Sequence, residues 1–167
     1  MLIELPVIWT IIINIGLWLF IHLTIAYLAT ILPQAMINVD SPVYKEREWE
    51  KGGRLYEKYF GVRMWKELLP DGSAIFSKGF RKKRLDSAGG EYIERFILEV
   101  CRAEMAHWIV IICSPVFFIW NPPWAGYVMI AYAAAANLPC IIAQRYNRIR
   151  LRRLLAGNKA RAGKRQA

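Results

Sequence analysis

From Pro6 to Leu32 the chain runs for twenty-seven residues without a formal charge, and no soluble fold of this size has a place for such a run. As an α-helix it is about 40 Å long, against a bilayer hydrocarbon core of about 30 Å. It is expected to cross a membrane. A cleaved signal peptide is the competing reading, but the run has no basic leader and ends without a small-residue cleavage pattern. It is also about twice as long as the apolar region of a signal peptide. Composition agrees with a span, since 56% of the 167 residues are hydrophobic and 13% aromatic. Those values exclude a disordered chain and leave too little polar surface for a soluble monomer. Cys101, Cys113 and Cys140 have neither disulfide-scaffold nor zinc-finger spacing. No metal and no cofactor is expected.

Two further apolar segments follow. Met105 to Trp120 is broken only by His107, Ser114 and Pro115, and its helix is expected to start earlier, near Glu91. Asn121, Pro122 and Pro123 turn the chain, and Trp124 to Gln144 reads as a third span kinked at Pro139. Trp120, Trp124 and Tyr127 then mark the far interface. The expected fold is an all-α integral membrane protein, one membrane domain over residues 1–167, with three transmembrane helices at about 6–32, 105–120 and 124–144 and an amphipathic interfacial helical segment.

Charge sets the expected orientation. Residues 1–36 hold only Glu4, residues 37–104 hold fourteen Lys/Arg and twelve Asp/Glu, and residues 105–167 hold nine Lys/Arg and no acid. Because basic flanks stay in the cytoplasm, segment 37–104 and tail 145–167 are read as cytoplasmic and the N-terminus as outside, in a multi-pass protein of the cell membrane. Between Glu46 and Leu69, Trp49, Tyr56, Tyr59 and Phe60 recur near helical spacing, with Lys51, Arg54 and Lys58 between them. That pattern suits a helix in the headgroup plane, or equally a small soluble helix packed on the span ends. Gly72 and the stretch 77–90, with its Arg81-Lys82-Lys83-Arg84 run, read as a loop that is solvated or touches anionic lipid. No nucleic-acid partner is expected.

Polar groups in apolar helices are costly unless paired, so each is a functional candidate. Glu104 and His107 are three residues apart and can approach each other on one helix face, as can Glu99 and Arg102. A carboxylate beside an imidazole fixes its tautomer and raises its basicity, which suits proton removal from a hydroxyl during acyl transfer. The bland alternative is an interfacial histidine capped by a neighbouring acid. Asn14 and His22 read mainly as interhelical hydrogen-bonders, and Asn137 as a group that satisfies the carbonyl freed by Pro139, with substrate contact the lesser role. Gln144, Arg145, Tyr146, Asn147 and Arg148, followed by Arg150, Arg152 and Arg153, combine the positive flank of a span with donors suited to a sugar or to phosphates. A glycine-rich phosphate loop, a G-x-S-x-G elbow, a His-x4-Asp acyltransferase signature and a histidine-rich di-iron cluster are all absent from the sequence.

Three runs carry a resemblance. Val62-Arg63-Met64-Trp65-Lys66-Glu67-Leu68-Leu69-Pro70-Asp71-Gly72, Glu99-Val100-Cys101-Arg102-Ala103-Glu104-Met105-Ala106-His107-Trp108 and Asn137-Leu138-Pro139-Cys140-Ile141-Ile142-Ala143-Gln144-Arg145-Tyr146-Asn147-Arg148 resemble the glycosyl-4,4'-diaponeurosporenoate acyltransferase family of bacterial carotenoid synthesis, in order and spacing from about residue 10 to 155. Ile149 stands where that family tends to have proline, so the tail here is expected to continue as helix. The resemblance implies a membrane acyltransferase that moves a fatty acyl group to the glucose 6-hydroxyl of a glycosylated C30 carotenoic acid or similar glycolipid. Its implied partners are that acceptor, a donor such as acyl-CoA or acyl carrier protein, and membrane lipids.

On this basis His107, oriented by Glu104, is the candidate catalytic base, with Asn147 or Arg148 as oxyanion donor. Arg63, Trp65, Lys66, Asp71, Glu99, Arg102, Asn137, Gln144, Arg145, Tyr146, Asn147 and Arg148 are candidate substrate-binding residues. The alternative from another class is a non-catalytic membrane partner that binds the pigment or scaffolds a glycosyltransferase. A third is a different small-lipid transferase, such as a methyltransferase.

Overall fold

The computed structural model describes residues 3–69 and 90–166, and among them every regular element is helical. Asp71, Gly72 and the Arg81–Arg84 run lie outside the described residues. Helix α1, Val7–Ile31, starts after Pro6 and ends where Leu32, with ψ 124°, is pushed out of helical backbone by Pro33. Its buried residues are Asn14, Trp18 and Ile21, a single narrow stripe. Ile8, Ile12, Ile15, Leu19 and Phe20 face outward, each half exposed or more. The helix is apolar all round, with one thin buried seam.

From Gln34 to Leu68 the chain makes short pieces: 3₁₀ turns at Gln34–Met36, Pro42–Tyr44 and Glu48–Gly53, then α2, Arg54–Phe60, α3, Val62–Trp65, and a 3₁₀ turn at Lys66–Leu68. The amphipathic helix expected over 46–69 is therefore broken. Lys51, Gly52 and Gly53 take φ of 47°, 72° and 85°, and Gly61 takes 54°. Glycine reaches this left-handed region without strain, so the Gly52–Gly53 pair turns the chain back on itself. Tyr56 then points inward while Trp49, Tyr59 and Phe60 stay exposed.

Helix α4, Gly90–Cys113, is helical from the first described residue of this stretch, but its apolar part does not run on as α-helix to residue 120. A 3₁₀ stretch, Ser114–Ile119, takes over. Pro115 has no N–H and its ring crowds the preceding turn, so the ladder tightens there, and the Ser114 hydroxyl donates to the Ile111 carbonyl at 2.7 Å. Helix α5 spans Pro123–Gln166, passes through Pro139 and carries the basic tail as helix. Among the described residues, two helices are thus long and apolar enough to cross a bilayer, α1 and the Pro123–Arg161 stretch of α5.

Helices α4 and α5 pack antiparallel, and α1 leans on α4. One core cluster joins Ile37, Ile93, Phe96, Val100 and Leu151, another joins Trp18, Val110, Phe117 and Ala133, and a third seats Tyr56 and Val62 on Ala143, Tyr146 and Ile149. At one end the Ile3 N–H donates to the Ile119 carbonyl at 3.1 Å. Near it Asn14 and Asn121 exchange amide hydrogen bonds of 3.0 and 2.9 Å, and the Trp120 indole donates to Asn14 at 2.8 Å. Asn14 therefore ties α1 to the turn before α5 rather than to a facing helix. His22 instead donates through Nδ1 to the Trp18 carbonyl of its own helix at 2.8 Å. At the other end Arg102 donates to the Leu32 carbonyl at 3.0 Å.

Candidate functional site

The polar residues singled out in α4 and α5 converge, but with different partners from those expected. On α5, Asn137, Gln144, Arg145 and Arg148 follow steps of seven, eight and eleven residues, so one face presents them together. Facing them on α4 are Glu104 and His107. Side chains tilt toward the N-terminus of their helix, so the long arms of Arg145 and Arg148 reach back along α5 to the level of Glu104. Glu104 and Arg148 are each 1% exposed and form an ion pair, with Arg145 Nη1 3.6 Å from the other carboxylate oxygen. Arg148 also donates through Nε to the Tyr44 carbonyl at 3.1 Å and lies over the Tyr44 ring.

The Glu104–His107 pair is thus corrected. Two guanidinium charges outbid a neutral imidazole for the Glu104 carboxylate, because a buried ion left without its counter-charge costs more than a lost neutral hydrogen bond. His107 is held by Asn137 instead, Nδ1 to Oδ1 at 2.8 Å. The Asn137 amide nitrogen donates to the Ala133 carbonyl at 2.9 Å, which fixes the orientation of the amide. It also corrects the role expected of Asn137, because the carbonyl freed by Pro139 is that of Ala135, one turn of backbone hydrogen bonding before it, and not that of Ala133. An amide oxygen only accepts, so Nδ1 of His107 carries the proton and Nε2 keeps its lone pair. His22 on α1 lies within electrostatic reach of His107.

A second carboxylate, which reading by spacing missed, completes the cluster. Glu50 is fully buried. Arg145 grips it with Nε at 2.5 Å and Nη2 at 3.1 Å, the Tyr56 hydroxyl donates at 2.6 Å, and the Arg47 backbone N–H at 2.5 Å. Burial pushes the Glu50 carboxyl up, but the hydrogen bonds from Arg145, Tyr56 and Arg47, with the Arg145 charge, outweigh it and hold the group below its ordinary value. Burial and the Glu50 carboxylate together push the Tyr56 hydroxyl well above its usual range. Arg145 also donates to the Val43 and Lys45 carbonyls, each at 3.2 Å. The result is a clamp fastening segment 43–56 to α5. The signal that marks Glu50 in the sequence is its place just before Gly52–Gly53, a pair that folds the preceding turn inward.

The remaining candidates lie around this clamp. Lys66 donates to Asn147 at 2.9 Å and sits over the Tyr146 ring. The Trp65 indole donates to the Phe60 carbonyl at 2.6 Å. Glu99 and Arg102 pair as their spacing suggested, at 2.8 Å. Gln144 is half-buried, and Arg63 is exposed on α3. Lys66 engages the Asn147 oxygen and not its amide N–H groups, whereas Arg148 is engaged by Glu104 and so is not placed as a free oxyanion donor. Among the described residues, no group of three or more His, Cys, Asp or Glu is arranged to hold a metal ion.

The sequence profile of the glycosyl-4,4'-diaponeurosporenoate acyltransferase family matches residues 40–157, which include the clamp, His107 and Asn137. The chain belongs to this family. Relatives bearing the family's name in Staphylococcus aureus strains bovine RF122 / ET3-1, USA300 and COL are each 38% identical over 138 residues, covering 83% of this chain and 83% of theirs. No solved structure matches. Membership makes the chain an acyltransferase of carotenoid biosynthesis, as the resemblance implied, and not the alternative, a non-catalytic membrane partner.

Proposed function

We propose that this acyltransferase is a multi-pass protein of the cell membrane, a single membrane domain that transfers a fatty acyl group to the glucose 6-hydroxyl of a glycosylated C30 carotenoic acid or a similar glycolipid. The observation that carries the chemistry is the His107–Asn137 contact, which leaves His107 Nε2 as a proton acceptor beside apolar helices. In this reading Nε2 takes the proton of the sugar hydroxyl as its oxygen attacks the carbonyl of a thioester donor. The carbon–sulfur bond then breaks, and the proton passes from the imidazolium to the departing thiolate. Asn137 orients the ring, the part the Asn plays in Cys-His-Asn sites on other folds. Glu104 acts through the clamp by keeping Arg145 and Arg148 in place, and Glu99 and Arg102 sit at the same end of the bundle.

The reading places the basic α5 tail in the cytoplasm and the Asn14–Asn121 end outside. A lipid-borne acceptor then presents its sugar near His107 and leaves its polyene beside α1. The test is mass analysis of ester formed by the reconstituted protein from an acyl thioester and a glycosylated carotenoic acid. Ester in the wild-type reaction supports the reading, and its absence overturns it.

A further inference from the structure

The turn Glu48–Gly53 and helices α2 and α3 leave a cleft of about 330 Å³ against α5. Its lining includes Arg54, Arg63, Arg150 and Arg153, one carboxylate, Glu57, and the ring of Tyr146. Beside it Glu46 pairs with Arg153 at 3.1 Å. Four guanidinium groups therefore meet two carboxylates, which leaves an excess of two positive charges in one concavity. Among the described residues Arg63 forms no ion pair, and Arg150 has its polar and ring contacts with Tyr146, the hydroxyl at 3.4 Å and the guanidinium over the ring. The floor is the left-handed Gly52–Gly53 pair. The Arg153 guanidinium rests where a Cβ on Gly52 would stand, 2.0 Å away.

Such a wall repels a fatty chain and suits oxyanions, since guanidinium forks bind phosphate oxygens in pairs. We propose that this cleft binds the diphosphate of a nucleotide-linked thioester, a coenzyme A ester, as the acyl donor. The assignment rests on the acyl-transfer reading above. A diphosphate matches the excess of two charges, whereas the single charge of a phospholipid phosphodiester leaves half of it uncompensated. The volume, at the low end for small-molecule sites, fits a polar head and leaves the acyl chain outside. Asn137, which holds His107, lies nine residues before Tyr146 and thirteen before Arg150, about 14 and 20 Å of helix. An extended pantetheine arm lying along α5 bridges that interval and brings the thioester to the imidazole.

The test is a calorimetric titration of the full chain, in nanodiscs of neutral phosphatidylcholine, with coenzyme A and with pantetheine, which lacks the phosphates. Coenzyme A is expected to bind wild type and His107→Gln alike. Binding to the double variant Arg63→Gln/Arg150→Gln should be at least about tenfold weaker, as loss of two charge-assisted contacts implies. Pantetheine should not saturate the site. Gly52→Ala, which displaces the Arg153 guanidinium, is the second variant and should weaken binding in the same direction.

Coenzyme A binding that ignores these changes, or that pantetheine matches, overturns the proposal. So does coenzyme A binding that disappears in phosphatidylglycerol nanodiscs, which would mark the cleft as a lipid headgroup site, and so does acylation supported only by a carrier-protein thioester. The two readings fail separately. Arginine-dependent coenzyme A binding without ester formation overturns the transfer chemistry, whereas ester formation with arginine-independent binding overturns the cleft alone.

Discussion

Glu104 and His107 sit three residues apart on one face, yet they serve different partners, and substitutions at the two should part company. Glu104→Gln strands Arg148 in a buried site without its counter-charge, a loss of about 3–5 kcal/mol. It should show as lower membrane abundance and a lower unfolding temperature in detergent. Asn137→Leu removes the acceptor of the His107 Nδ1 proton while keeping bulk, so turnover should fall with abundance nearly unchanged; an equal loss of both would contradict the assignment. Spacing along α4 made Glu104, His107, Glu99 and Arg102 visible as candidates, and for Glu99–Arg102 it also found the pair. For Glu104 it failed, because an (i, i+3) relation says who stands nearby on one helix and nothing about which charges the facing helix brings. Arg148 and Arg145 come from forty or more residues away, and their charge decides the contest. Asn137 was legible as a polar residue beside a proline, but its partner across the bundle was not.

The elements divide along the same line. Prolines at 6 and 33 bracket α1, so its limits were readable to within a residue or two. The 46–69 segment was not, since its aromatic spacing looks helical and only the paired glycines reveal the left-handed turn that buries Glu50. Because Glu50 titrates lower in the folded protein than its unfolded value of about 4.3, its stabilising share is present at neutral pH and is lost as pH falls below about 4. Segment 43–56 should then release from α5 before the helices part. Amide exchange corrected for intrinsic rates should show protection of that segment falling in this window, and Glu50→Gln should be unprotected already at neutral pH. Protection that survives acid in wild type would contradict the clamp. At the opposite turn, a Cβ on Gly126 would stand 2.4 Å from the Phe118 ring. Gly126→Ala should therefore cost about 1–3 kcal/mol through overpacking, read as a lower unfolding temperature.

For the whole molecule, the structure groups Ile3, Asn14 and Asn121 at one end and Leu32 and Arg102 at the other. The helical count was less legible, because apolar content alone could not show that Pro115 ends α-helix at Cys113 and leaves a 3₁₀ stretch to finish the segment. If the bundle crosses the membrane as proposed, cysteines at positions 3 and 159 in a chain lacking its native cysteines should react with an impermeant maleimide from opposite sides of oriented vesicles. Labelling from one side would contradict the topology. The most direct test of the central claim compares acylation of a glycosylated carotenoic acid by nanodisc-reconstituted wild type and His107→Gln at matched protein levels. General-base catalysis contributes roughly 100-fold or more, so the variant should lose at least about that factor in rate while keeping the wild-type unfolding temperature. A variant that acylates at a rate comparable to wild type would contradict the assignment of His107 as the base.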